Sequence, residues 1–324
     1  MSHRPGTALI GCGQWGRNHA RTLAELGALA AVGDADAQAA RAVGQAHGVK
    51  VMGVEAMLAD ARIDALVLAL PAEHNCALAL SALAAGKHVF VEKPIALTSA
   101  DAARMVDAAR AADRVLMTGH ILCYHNAFRA LLDCVAAGEI GELRHIQSHR
   151  LCFGKFYDRF DALWDLAPHD LSLILGLLGA APDHVEIGQA SVTDGQGDIA
   201  QIALGFAGGP TAQVLVSRHS AYDERRFVVT GDRASAIWDD RADWPRKLAL
   251  VPHRAAREGH GNWRWHRGEP AFRPVAPGMA LTDELAHFLD CAAGRAEPLT
   301  PGSQGLEVVR ILERARQWAS SRVT

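Results

Sequence analysis

The chain has 324 residues, 49% of them hydrophobic and 21% charged, and a formal net charge of -3; this length exceeds what one core usually spans, so two domains are expected. The charge balance lacks the basic excess of a nucleic-acid binder, and no apolar run is long enough to cross a bilayer. Six scattered cysteines with no Cys-x-x-Cys pair argue against a disulfide framework or a zinc ribbon and fit a reducing cytoplasm, and no signal-peptide region is expected at the start.

Residues 7–10 form a short apolar run followed by Gly11-Cys12-Gly13-Gln14-Trp15-Gly16 and a helical pattern over 19–26. A glycine string between strand and helix is the phosphate-binding turn of a dinucleotide fold. Gly11 makes the tight turn, Gly13 lets backbone N–H groups approach a pyrophosphate, and Gly16 lets helix and strand pack closely. The second strand, 28–33, ends at Asp34, a carboxylate suited to ribose hydroxyls and repulsive to a 2'-phosphate, so NAD is expected rather than NADP. Asp36 is the rival for that role and is read instead as the N-cap of a helix over 37–47. A weak strand at 49–52, a short helix at 54–59 and a buried strand at 65–70 continue the βα rhythm. Pro71-Ala72-Glu73-His74 then leads into a helix over 74–85, which puts His74 on the ligand side of the sheet. Residues 88–91 are the next buried strand, entered through Gly86 and stopped by Pro94. Ligands of an open parallel sheet bind beyond the carboxyl ends of its strands, so Glu92 and Lys93 are candidates for chemistry. A helix to residue 112 and a sixth strand, 115–118, complete a doubly wound unit.

Past residue 120 the pattern changes. A helix over 127–137 precedes a strand over 143–151 that carries Arg150, and the loop 152–160 mixes aromatics with Lys155 and Arg159. Leu163-Trp164-Asp165-Leu166-Ala167-Pro168-His169-Asp170-Leu171 opens an apolar helix to residue 178; Pro168 suits its first turn, with His169 projecting from the helix start and Asp165 just before it. Alternating runs at 185–192, 199–206, 212–217, 227–231 and 234–238 read as antiparallel strands. Residues 241–274, rich in Trp, His and Arg, are expected to be an irregular, partly solvated loop, and helices over 282–293 and 302–320 close the chain. None of the sixteen histidines falls in a His-Glu-x-x-His spacing, and no metal is assigned.

The glycine turn, Asp34, the 71–74 turn and above all Ala85-Gly86-Lys87-His88-Val89-Phe90-Val91-Glu92-Lys93-Pro94 resemble the Gfo/Idh/MocA oxidoreductase family. The resemblance implies a Rossmann domain over 1–120, then an α+β domain with a large, mostly antiparallel sheet over 121–324, a cis Lys93–Pro94 bond and a homo-oligomer, dimer or tetramer. The cofactor set it implies is Gly11, Gly13, Gln14, Trp15, Gly16, Asp34, Pro71, His74, Glu92 and Lys93. Its catalytic group is Lys93, Asp165 and His169, with Tyr124, Arg150, Lys155 and Arg159 added as substrate contacts. Where family members often carry an arginine and a proline, this chain has Cys123 and Asn126, and no role is carried over to them. The segment around residues 164–170 resembles the branch acting on nucleotide-linked sugars, so oxidation at C3 of a hexose such as UDP-N-acetylglucosamine is expected. A free sugar or cyclitol, turned over in either direction, is the alternative, and a non-catalytic NAD or sugar-nucleotide sensor is the alternative of another class. Either His169 or Lys93 is the base that takes the hydroxyl proton.

Overall fold

Short apolar runs separated by amphipathic helices generate the first of two sheets. The computed structural model describes residues 4–154, 156, 160–193, 197–258 and 261–321. Contacts divide the chain into one unit of Met1–Tyr124 with Met279–Arg310 and another of His125–Gly278 with Ile311–Thr324.

The first unit alternates β1 (Thr7–Ile10), α1 (Gln14–Glu25), β2 (Leu29–Gly33), α2 (Ala37–His47), β3 (Lys50–Val51), α3 (Val54–Ala59), β4 (Ala65–Leu68), α4 (Asn75–Ala84), β5 (His88–Glu92), α5 (Ser99–Ala112) and β6 (Leu116–Gly119). The strands pair in parallel in the order β3-β2-β1-β4-β5-β6. Every residue of β1 and β4 is buried, as expected of central strands covered on both faces. The order reverses between β1 and β4, and in an open sheet of this kind the ligand binds at that reversal, beyond the carboxyl ends of the strands. Helix ends are set locally. The Asp36 carboxylate accepts from Gln38 N at 2.8 Å and Ala39 N at 3.2 Å, capping α2 as the sequence suggests, and Thr98 Oγ1 accepts from Asp101 N at the start of α5.

The second unit contains α6 (Asn126–Ala136), β7 (Leu143–Phe153), α7 (Ala162–Leu178), β8 (His184–Ala190), β9 (Ile199–Gly205), β10 (Thr211–Ser217), β11 (His219–Gly231), β12 (Ala234–Asp239), β13 (Leu248–Glu258), β14 (Asn262–Arg267) and β15 (Ala271–Arg273). Among the described residues its sheet has nine strands in the order β14-β13-β12-β11-β7-β10-β9-β8, with β15 beside β13. All pairings are antiparallel except β7 with β10. Burial alternates along β9 and β10, with α6 packing on β12 and α7 on β10.

Two expectations need correction. Residues 241–274 are not an irregular loop: they contain β13, β14 and β15. Leu248–Val251 are buried against β12, and beyond them polar and aromatic residues pair across an exposed ribbon, with the Arg257 guanidinium 5.2 Å from the centre of the Trp263 ring in a cation–π contact. A boundary at residue 120 also leaves out part of the first unit, because α8 (Ala280–Ala292) and the start of α9 (Gly302–Ser321) belong to it. Phe288 of α8 packs edge-on against Phe90 of β5 at 5.6 Å. Thr118 N donates to Thr300 O at 2.9 Å, and Met117 bridges to Pro301, so the returning chain covers the free edge of β6.

If Asp36 is only a cap, Asp36→Ala should cost about 1 kcal/mol in chemical denaturation and leave cofactor affinity unchanged. A large loss of NAD affinity in that variant would transfer the ribose role from Asp34 to Asp36.

Candidate active site

In the first unit the glycine turn is shaped by close approaches that a side chain would block. Gly11 sits at φ 101°, and a Cβ there would lie 2.3 Å from Ala69 O; a Cβ on Gly16 would lie 1.9 Å from Gly11 O. Gly13, by contrast, faces open space. It caps α1 without a side-chain hydrogen bond, and the first turn of α1 holds no acidic residue. The leading N–H groups of α1 are thus suited to an anion, and the turn fits a dinucleotide pyrophosphate. Asp34 closes the other side of the turn: Cys12 N donates to its Oδ2 at 2.5 Å and Asp36 N to its Oδ1 at 2.8 Å. Gln14 and Trp15 are exposed beside Gly13, and Pro71 and His74 are exposed beyond β4. His74 ends a 3-10 turn and its side chain makes no capping bond. A groove of about 1080 Å³ lined by His88, Arg110, Arg114 and Arg295 lies at the opposite, amino edge of the sheet and is not the nucleotide crevice.

At the end of β5, Glu92 and Lys93 are half-buried, and the Lys93–Pro94 bond is cis. His19, fully buried on α1, meets Glu92 Oε1 through Nε2 at 2.7 Å, while Lys93 N donates to Glu92 Oε2 at 3.1 Å. Burial works to raise the Glu92 carboxyl, but the His19 hydrogen bond and the charges of His19 and Lys93 outweigh it, and the net direction is down. Two further buried groups surround this pair. Glu92 is in register with Gly119, so His120 follows directly beside it, 1% exposed. Glu284 lies one turn ahead of Phe288 on α8, on the face packed against β5. Neither ring nitrogen of His120 and neither carboxyl oxygen of Glu284 has a hydrogen-bond partner among the described residues. Burial depresses His120 to about 4, partly opposed by Glu92 and reinforced by Lys93. Burial, then the charge of Glu92, raises Glu284 well above the usual carboxyl range.

In the second unit the side chains expected to be catalytic, Asp165 and His169, lie on α7. Asp161 caps it, accepting from Trp164 N at 2.8 Å, so the helix starts six residues ahead of Pro168 rather than at it. Asp165 and His169 are therefore both inside the helix, one turn apart on one face, and Pro168 is accommodated within it at the loss of one backbone hydrogen bond. Asp165 pairs with Arg218 at 2.9 Å. Asp170, 1% exposed, accepts from Ser148 Oγ at 2.7 Å and from the Arg150 fork at 2.9 and 3.0 Å.

These contacts revise the expected substrate contacts. Arg150 has its guanidinium fork turned onto Asp170, where it fixes α7 to β7 instead of presenting both arms to a diphosphate. Tyr124 is a core residue: it is 2% exposed, its hydroxyl faces Thr300 at 3.4 Å, and its ring lies against His287, so it offers no surface to a ligand. Lys155 and Arg159 lie outside the described residues. Sequence reasoning missed His19, His120, Glu284 and Arg218. Only His120, at the end of a strand on the ligand side, carried a positional signal; the others sit among polar or mixed neighbours, where no local pattern marks them as buried.

The fold and the glycine turn define a NAD-binding oxidoreductase. The chain matches the profile described as "Oxidoreductase family, NAD-binding Rossmann fold" over residues 6–120 and "GFO/IDH/MocA C-terminal domain" over 128–237; it belongs to the Gfo/Idh/MocA family. It is similar to a UDP-N-acetylglucosamine 3-dehydrogenase of Acidithiobacillus ferrooxidans, 31% identical with 94% of this chain and 93% of the relative covered. A solved structure of that enzyme superposes with a TM-score of 0.85 over the whole of both chains at 28% identity. A 1,5-anhydro-D-fructose reductase of Ensifer adhaerens is 28% identical, with 90% of this chain and 92% of the relative covered.

The buried groups predict opposite pH slopes of stability. The folded-state value of His120 is about 4 against 6.5, so the unfolded chain takes the proton first and stability falls as pH drops through that window. Between pH 7 and 5 this group should cost about 2 kcal/mol, and His120→Gln should flatten that slope in urea titrations. Glu284 acts at the other end: its folded value is raised, so its contribution is present below pH 4.5 and lost as pH rises through the folded value. Glu284→Gln should remove that alkaline loss, and identical slopes in variant and parent would reject the burial argument.

Proposed function

We propose that the protein oxidises a ring hydroxyl, at C3 of a nucleotide-linked hexose such as UDP-N-acetylglucosamine, giving a 3-keto sugar. The observation that carries this reading is the similarity to a UDP-N-acetylglucosamine 3-dehydrogenase over nearly the full length of both chains. NAD, when bound, supplies the hydride acceptor. His169 takes the hydroxyl proton, a role suited to imidazole near neutral pH. Asp165, one turn away, orients it. Lys93 holds the substrate oxygen and stabilises negative charge developing there. Backbone N–H groups at Gly13 and the start of α1 hold the pyrophosphate, with Gln14, Trp15, Pro71 and His74 flanking the cofactor, and Asp34 binds the adenosine ribose. The six free cysteines fit a reducing compartment, and no described helix is long and apolar enough to cross a membrane; we assign the protein to the cytoplasm as a homo-oligomer.

Arg150 is committed to Asp170, so diphosphate recognition falls to Lys155, Arg159 or cations elsewhere. That weakens the nucleotide requirement and favours, as the second reading, a free sugar or cyclitol, in line with the similarity to a 1,5-anhydro-D-fructose reductase. Reduced-nicotinamide absorbance decides: we expect turnover with UDP-N-acetylglucosamine at a kcat/KM well above that for N-acetylglucosamine, 1,5-anhydroglucitol or inositol. Equal efficiency with a free sugar selects the second reading.

Lys93→Met and His169→Ala should each lower turnover roughly a hundred- to ten-thousandfold with NAD still bound; near-normal turnover removes that residue from the mechanism. In direct titration NAD should bind more tightly than NADP, and Asp34→Ser should narrow the difference. Tighter NADP binding by the parent protein would overturn the role of Asp34.

A further inference from the structure

Arg218 is a fully buried cation in the second unit that none of the roles above uses. It stands between β10 and β11, with 2% of its surface exposed. Four contacts tie it to four segments. Its backbone N donates to Asp198 O at 2.9 Å, and its carbonyl accepts from Gly154 N at 3.0 Å. Its Nη1 donates to Phe160 O at 2.5 Å, just ahead of α7, and its Nη2 pairs with Asp165 Oδ2 at 2.9 Å within the first turns of that helix. Taking a guanidinium out of water is costly unless a partner charge compensates it. Here that compensation comes from Asp165, whose side chain is one-quarter exposed.

Among the described residues, the neighbouring ionisable groups have contacts of their own. Asp161 caps α7 and lies 4.0 Å from Arg316 of α9. Asp170 is closed by Arg150 and Ser148. The Asp198 carboxylate accepts from Val192 N and Thr193 N, and His219 of β11 packs its ring on Phe153 of β7. Among the described residues, Arg218 is thus a buried cation set against Asp165, the carboxylate one turn from His169.

We propose that Arg218 is a positioning residue for the reaction: it holds Asp165 in place and offsets its charge, so that His169 remains a neutral base near pH 7. This rests on the reading of His169 as the base. An uncompensated carboxylate one helical turn from an imidazole favours the imidazolium and holds the base in its protonated, inactive form. With the Arg218 cation in place the pair has no net charge, and its pull on His169 is reduced while the Asp165 geometry is kept. A purely structural staple would have no such effect.

The test is the pH dependence of kcat/KM with UDP-N-acetylglucosamine and NAD for the parent, R218Q, R218K, D165N, H169A and the double variant D165N/R218Q. R218Q should move the acid limb to higher pH by about one unit. R218K, which keeps the charge but not the fork, should keep the limb near the parent position while turnover falls. D165N should move the limb to lower pH, and D165N/R218Q should bring it back toward the parent, because both charges are then removed together. The double variant and D165N carry the test if R218Q does not fold. A limb unchanged in R218Q, or unchanged between D165N and D165N/R218Q, overturns the proposal and leaves Arg218 a structural staple. H169A separates the two levels. If it keeps the limb, His169 is not the base and both readings fall. If it removes the limb while the Arg218 variants leave it unmoved, only the inference about Arg218 fails.

Discussion

Helix α1 can sit directly on the end of β1 only because residue 16 has no side chain. A Cβ there would lie 1.9 Å from the carbonyl of Gly11, well inside contact distance, and the helix would have to withdraw from the strand. The close approach aims the uncapped start of α1 across the carboxyl edge of the sheet and leaves Gly13 open beside it. It also carries His19 into the interior, where its ring lies edge-on to Phe90 at 5.5 Å and its Nε2 reaches Glu92. The same packing that builds the turn therefore sets the electrostatics at the end of β5.

Around Glu92 the first unit tolerates an unusual density of buried ionisable groups. Glu92 stays ionised because His19 and Lys93 offset its burial, whereas Glu284, beside the same charge and with no partner among the described residues, is driven toward its neutral acid form. His120 is driven the same way, toward neutral imidazole. One charge is kept and its neighbours are neutralised, as expected when several groups share one low-dielectric region. Such groups lower the stability of the fold, which is why their pH dependences are readable against the rest of the chain.

The second unit handles its charges by pairing. Two carboxylates of α7 each meet an arginine from the sheet: Asp170 takes the fork of Arg150, and Asp165 takes Arg218. Arginine suits both positions because it keeps its charge when buried and presents donors in a fixed plane. These two pairs fix the helix along its length and in rotation about its axis, so the face bearing Asp165 and His169 is set by contacts distributed over β7 and the β10–β11 junction, not by α7 alone.

Local chemistry was enough for much of this. The glycine turn, the Asp36 cap, the buried strands of the first unit and the place of Lys93 just past the end of β5 all follow from short stretches whose spacing carries one physical meaning each. The alternation at 199–206 and 212–217 likewise marks β9 and β10, since a period of two matches only a half-buried strand. Tertiary structure decided the rest. Pro168 reads as a helix start, but the cap at Asp161 lies seven residues earlier and packing against the sheet keeps the proline inside α7. Residues 241–274 read as a loop because most of the segment beyond the buried Leu248–Val251 is exposed and rich in Arg and Trp, with no apolar alternation. The return of α8 to the first unit depends on Phe288 meeting Phe90, nearly two hundred residues away in sequence. Arg150 has the sequence setting of a ligand-binding cation, but the fold places Asp170 beside it, and Arg218 and Glu284 carry no sequence signal at all. The partner of a buried charge is chosen by three-dimensional proximity across elements, and periodicity along one chain segment contains no information about it.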